Sequence, residues 1–214
     1  MDRRNGLEVP ESLEEICRPD RLALLIYDMQ VGILGQIADA GRVVANVKEA
    51  LDAARAAGVR TYFTRHVTLP VELMGVGQLR MWRAWQQVQR LEDVTSPFLP
   101  DAPQTQIAAE LAPTDKEAVL DKLTLSAFAG TPLELALRGA EVDALAIAGV
   151  ATEIGIEPTV RHAGDLGFIP VVLTDACAAG NAQAGDRAIE TLRYLGDAVL
   201  TDVAGFGAAL AAHA

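Results

Sequence analysis

Leu22-Ala23-Leu24-Leu25-Ile26-Tyr27-Asp28 decides the fold of this chain. Six apolar residues run without alternation and end on a carboxylate, the pattern of a short strand buried on both faces with a polar C-terminal end. From Arg42 to Ala57, Val43, Val44, Val47, Leu51 and Ala54 recur at helical spacing, and Gly58 stops the helix. Val59 to Val67 reads as a second strand. The alternation resumes with a strand at Glu117 to Lys122, a helix after Thr131 and a strand at Ala144 to Val150. A helix after Gly155, a strand at Ile169 to Asp175, a helix around Gln183 to Leu195 and a strand around Ala198 to Val203 complete it. Such βαβ repetition predicts an α/β fold, a mostly parallel, doubly wound sheet between two helical layers.

Thr131-Pro132-Leu133-Glu134 predicts a helix start in which threonine caps, proline takes the first position and glutamate reaches back. Residues 1–19 are polar and contain Pro10 and Pro19, and read as an N-terminal arm before a single domain over 20–214. Residues 68–115 break the rhythm with five prolines, Trp82, Trp85 and the polar run from Gln86 to Arg90, and read as an insertion over the sheet edge and the site.

A chain of 214 residues, 50% of them hydrophobic, can bury the core of one domain. Its net charge of -11 repels phosphate backbones and anionic membranes, so neither nucleic acid nor a membrane is an expected partner. Cys17 and Cys177 are too few for a disulfide framework or a zinc site, which suits a reducing compartment. The N-terminus lacks the apolar core of a signal peptide, and no stretch is long enough to span a bilayer. A cytoplasmic protein is expected.

In an open parallel sheet, ligands bind beyond the carboxyl ends of the strands. Asp28, Lys122 and the turn Gly149-Val150-Ala151-Thr152-Glu153-Ile154-Gly155 all fall there. A carboxylate in such a place exchanges a proton, and a neighbouring lysine holds its charge. Taken singly, Asp28 also fits a helix cap, Lys122 a solvated lysine and Gly155 a close-packing glycine. Pro158 belongs in the first turn of the following helix. That places the N-cap at or beyond Gly155 and predicts free amides there, pointing into the cleft as an anion or oxyanion site.

The ordered motifs Leu25-Ile26-Tyr27-Asp28-Met29-Gln30, Lys122 with Ser126-Ala127-Phe128 and Gly130-Thr131, GVATEIGIEPTVRHA, and Leu173-Thr174-Asp175-Ala176-Cys177 resemble the isochorismatase-like (cysteine hydrolase) superfamily over about residues 20 to 205. The resemblance implies a hydrolase in which Asp28 is general acid or base, Lys122 assists it, and Val150-Ala151 is a cis peptide aiming backbone donors at an oxyanion. Most members carry a nucleophilic cysteine where this chain has Gly155, so a thioester route is closed here. Cys177 does not replace the thiol and reads as a packing residue. Isochorismatases proper also carry glycine there, and protonate a vinyl ether that water then cleaves with release of pyruvate.

The resemblance therefore implies a thiol-independent hydrolase of a small, carboxylate-bearing substrate, and a homo-oligomer, dimer or tetramer. Arg80 and Arg83 flank Trp82 and are candidates for carboxylate recognition, although a solvated helix face explains the arginines and a core or subunit-contact stripe explains Trp82 and Trp85. Nicotinamidases of the superfamily bind a divalent ion through Asp-x-His; Thr64-Arg65-His66 lacks that aspartate, so neither a metal nor another cofactor is expected. The alternatives are a catalytically silent binding or scaffold member and an atypical amidase. Nucleotide binding lacks any glycine-rich fingerprint after a strand.

Overall fold

The structure, a computed structural model, describes residues 2–213. The segment read as an arm carries an exposed antiparallel hairpin, β1 (Asp2–Arg4) and β2 (Leu7–Val9), and a single helical turn, α1 (Leu13–Ile16). There follow β3 (Leu22–Tyr27), α2 (Val31–Leu34), α3 (Ala40–Ala56), β4 (Arg60–His66), α4 (Val76–Trp85), β5 (Ala118–Lys122), α5 (Leu133–Gly139), β6 (Ala144–Val150), α6 (Glu157–Asp165), β7 (Ile169–Ala178), α7 (Ala182–Leu195), β8 (Val199–Thr201) and α8 (Val203–Ala211). The last six strands form one parallel sheet in the order β5-β4-β3-β6-β7-β8. The chain winds from β3 out to β5, then returns to place β6 on the other side of β3. The two central strands thus flank the topological switch point, where an α/β sheet opens a crevice.

Every residue of β3 is buried, and alternation along the strand divides them between two cores. Leu22, Leu24 and Ile26 face α3, through Val43, Val47 and Leu51, and α8, through Phe206 and Leu210. Ala23, Leu25 and Tyr27 share the opposite core with Leu133, Leu137, Val160 and Leu192. Burial of each large aliphatic side chain contributes about 1.5–3 kcal/mol, so this strand is a principal source of stability. Its neighbour β6 is equally buried. Gly149, at φ +135, lies so close to the Tyr27 backbone that a Cβ would stand 2.9 Å from the Tyr27 nitrogen, which only glycine avoids.

Two element boundaries depart from the sequence reading. The strand expected to reach Val203 stops at Thr201, because the Asp202 side chain accepts from the Gly205 amide and opens α8. The reciprocal cap at Thr131 does not form. The Thr131 hydroxyl donates to the Ala127 carbonyl and accepts from the Leu133 amide at 3.2 Å, while Glu134 turns outward to pair with Arg138 at 2.9 Å.

Residues 68–115 contain α4 and a series of single 3₁₀ turns, with a small core of their own formed by Met74, Trp82, Val94 and Phe98. Gln30, completely buried, ties this segment to the sheet: its side-chain amide donates to the carbonyls of His66 and Thr105, both at 3.0 Å, and its oxygen accepts from the His66 amide at 2.6 Å. The segment is thereby fixed over the carboxyl ends of β3 and β4. Among the described residues no helix is long and apolar enough to cross a membrane.

Candidate active site

The parallel registers determine which side chains meet. Tyr27 is level with Gly149, and His66 with Lys122, so the exits of β3, β4, β5 and β6 lie side by side. Asp28, the first residue beyond β3, adopts φ +47, a left-handed conformation that aspartate tolerates better than most residues. Its amide donates to the Thr64 hydroxyl at 3.2 Å, and that hydroxyl donates to Asp28 Oδ1 at 2.7 Å. Asp28 Oδ2 accepts from Lys122 Nζ at 2.6 Å, and Nζ also donates to the Thr124 carbonyl at 3.1 Å.

Both charges of this pair are buried: the Lys122 side chain is 0% exposed and that of Asp28 6%. Burial pushes Lys122 below its ordinary value, with Asp28 opposing the shift. The ammonium group also lies 4.4 Å from the centroid of the Tyr27 ring. The lysine is thus desolvated, yet held by a carboxylate, a carbonyl and a ring face.

Asp28 and Tyr27 face a cavity of about 760 Å³, within the range of small-molecule sites, while Lys122 lies behind them. Tyr27, Asp28, Val150, Ala151 and Gly155 line it from the sheet, and Trp82, Trp85 and Phe98 from the 68–115 segment. Two polar atoms in this lining are buried without a partner, His66 Nε2 and Glu153 Oε2. Burial first, then the Lys122 charge, lowers His66 to about 4, so the ring is neutral at pH 7. Glu153 Oε1 accepts from the Asn181 amide at 2.8 Å, which leaves Oε2 for a ligand.

Val150-Ala151 is a cis peptide bond. The following turn differs from the reading based on Pro158. Thr152–Ile156 form a π turn in which the Ala151 carbonyl accepts from the amides of Ile154, Gly155 and Ile156, at 3.2, 3.0 and 3.2 Å. The Gly155 amide is therefore not free to bind an oxyanion. The proline rule was satisfied by α6 itself, whose N-cap is Ile156, but a wider turn precedes it and takes up those donors. Only the amides of Thr152 and Glu153 stand ahead of the first donor to Ala151.

Gly155 still faces the cavity, yet the space beside it is filled. A Cβ at this position would lie inside the Tyr27 phenol, 2.5 Å from Cε1 and nearer still to Cζ and Oη. Tyr27 is 2% exposed, and its hydroxyl donates to the Leu125 carbonyl. Gly155 is fixed as well, because its carbonyl accepts from Thr159 Oγ1 at 2.7 Å.

Trp82 contacts the cavity and tilts against His66 at 5.9 Å between ring centroids. Arg80 and Arg83 do not reach it. They line, with Val88 and Gln89, an adjoining depression that shares Ala84 and Gln87 with the main cavity, while Trp82 is the buried residue of α4. Among the described residues no arginine or lysine lines the main cavity. Cys177 is buried at 3.9 Å from the Ile147 carbonyl, and burial raises its thiol to about 12, as it does that of Cys17.

The three histidines lie apart. His66 is surrounded by Trp82, Phe98 and the Lys122 charge, His162 Nδ1 lies 2.8 Å from the Ser126 hydroxyl, and His213 Nε2 lies 2.8 Å from the Glu14 carbonyl. Among the described residues no three His, Cys, Asp or Glu side chains are grouped to hold an ion.

Thr64, Glu153 and the role of Tyr27 were not recognised from the sequence. Parity was a usable signal for Thr64, which shares a face of β4 with His66 two residues on. For Tyr27 there was none, because its ring meets Gly155 only through the fold.

Residues 22–204 match the Isochorismatase domain. The chain is 34% identical to the isochorismatase family protein YecD of Escherichia coli O157:H7 over 174 residues, covering 78% of this chain and 85% of that protein. It is 28% identical to the ureidoacrylate amidohydrolase RutB of Pseudomonas syringae pv. syringae, covering 82% and 78% respectively. A crystal structure of a cysteine hydrolase from Pseudomonas syringae pv. phaseolicola superposes with a TM-score of 0.78 at 23% identity, over 92% of this chain and 95% of that one. The α/β/α layering, the six-stranded parallel sheet and the span of the domain match agree, and the chain belongs to the isochorismatase family of hydrolases.

Proposed function

We propose that this hydrolase cleaves a small substrate without a covalent intermediate, using Asp28 to move the proton and Lys122 to hold and resupply it. The observation that carries this reading is the buried Asp28–Lys122 pair at 2.6 Å, whose Asp28 member lines a cavity that no thiol lines. A pair kept at the cost of burying two charges has a use beyond stability, since apolar residues of similar size fold as well or better. The candidate reaction is vinyl-ether hydrolysis of the isochorismate type. Asp28 gives a proton to the vinyl carbon, water adds to the oxocarbenium carbon, and the water's proton returns to the carboxylate. The hemiketal then collapses to pyruvate and an alcohol. Lys122, whose hold on its proton burial weakens, supplies Asp28 with the proton that starts the cycle and takes it back once water has returned one to the carboxylate.

A second reading is favoured by the lining, which presents Asp28 and Glu153 and no cation to a substrate carboxylate. In that reading Asp28, ionised and held by Thr64 and Lys122, draws a proton from water that attacks an amide or ureido carbon. The similarity to an amidohydrolase supports it. Incubation with isochorismate, followed by pyruvate release, and with an amide and ureido panel, followed by ammonia release, separates the two. Asp28→Asn should abolish whichever activity is found. Wild type and Asp28→Asn indistinguishable on every substrate would instead mark a silent binding member.

A further inference from the structure

We infer that Tyr27 is the positioning residue that decides the reaction type of this site: its ring stands in the place of a nucleophile at position 155 and excludes any side chain there. The glycine is then one half of a reciprocal exchange, in which volume lost from the turn is supplied by β3. Three observations support this. A Cβ on Gly155 would fall within the Tyr27 phenol, at Cε1 and closer to Cζ and Oη. The ring is held in place, since its hydroxyl is bonded to the Leu125 carbonyl, Lys122 lies over its face and the residue is 2% exposed. The Gly155 backbone cannot yield either, being held at its amide by Ala151 and at its carbonyl by Thr159.

The phenol does not inherit the role of a thiol. Burial, with the neighbouring Asp28 charge second, raises Tyr27 well above its ordinary value, so the oxygen stays protonated and that proton is committed to Leu125. The nucleophile must then be solvent water. This holds whichever bond is cleaved, and its test needs no substrate, so its failure is distinct from failure of the proposed reaction.

A double-mutant cycle tests it. Gly155→Ala should lower Tm by roughly 5–10 °C in the wild-type background, from overpacking, and by less than half as much in Tyr27→Ala. If Tyr27→Ala does not fold, Tyr27→Leu supplies that arm. Equal Tm shifts in both backgrounds would overturn the inference. Cysteine provides the second measurement. Iodoacetamide should label Gly155→Cys/Tyr27→Ala at least tenfold faster than Gly155→Cys or Gly155→Cys/Tyr27→Phe, because phenylalanine keeps the ring. A folded Gly155→Cys with wild-type Tm that labels as fast as the Tyr27→Ala double variant also overturns it.

Discussion

The wall of the cavity supplied by the sheet and the wall supplied by residues 68–115 are built by opposite means. On the sheet side the central pair is fixed from several directions: Asp28 has Thr64 and Lys122, and Lys122 has Asp28, Thr124 and the Tyr27 ring. On the other side Trp82, Phe98 and Met74 pack as a small core of their own, in a segment joined to the exit of β3 through Gln30 and through the Ala108 amide, which donates to the Met29 carbonyl at 2.9 Å. On the reading proposed above, chemistry falls to the strand ends and selectivity to the segment above them.

The comparison breaks first if the sheet wall is dispensable. Asp28→Asn should reduce kcat/KM by about 100-fold or more in a steady-state assay on the substrate identified above. It should also lower Tm, since Lys122 loses its buried counter-charge. Trp82→Ala should act on the other wall: KM rises about tenfold with kcat changed little, and the added hydrogen exchange is confined to residues 68–115. A fall in kcat matching that of Asp28→Asn would show the two walls to be one unit.

His66 sits where the walls meet and sharpens the contrast through pH. Its folded value of about 4 lies below the ordinary 6.5, through burial first and Lys122 second, with Asp28 opposing. The unfolded chain therefore binds the proton first. The contribution of His66 is complete above pH 6.5 and is lost as pH falls toward 4, by up to about 3 kcal/mol. Thermal melts of His66→Gln should be flatter than wild type across that window. The smallest effect belongs to the surface: Arg80→Ala and Arg83→Ala should leave kcat/KM within about twofold, because both line the adjoining depression and neither lines the cavity.

The same division explains what the sequence disclosed. Apolar runs such as Leu22 to Tyr27 and Ala144 to Val150 have one physical meaning, so the parallel sheet and the meeting of Asp28 with Lys122 were legible. The turn at Ala151 was not, because one carbonyl accepting three amides leaves no mark in residue type. Nor was the outward face of Arg80 and Arg83, since their segment is set by single turns and the Gln30 tether, without a repeating period. The Tyr27 and Gly155 contact joins residues 128 positions apart and is visible only in three dimensions.

The two cysteines, buried and with thiols raised to about 12, bear on how this enzyme meets oxidants. Peroxide attacks thiolates, and hydrolases that depend on one lose their activity with the first oxygen added to sulfur. On the reading proposed above the reacting groups are a carboxylate, an amine and water, none of which peroxide converts under those conditions. Activity of this chain should then persist in peroxide that silences a thiol-dependent hydrolase.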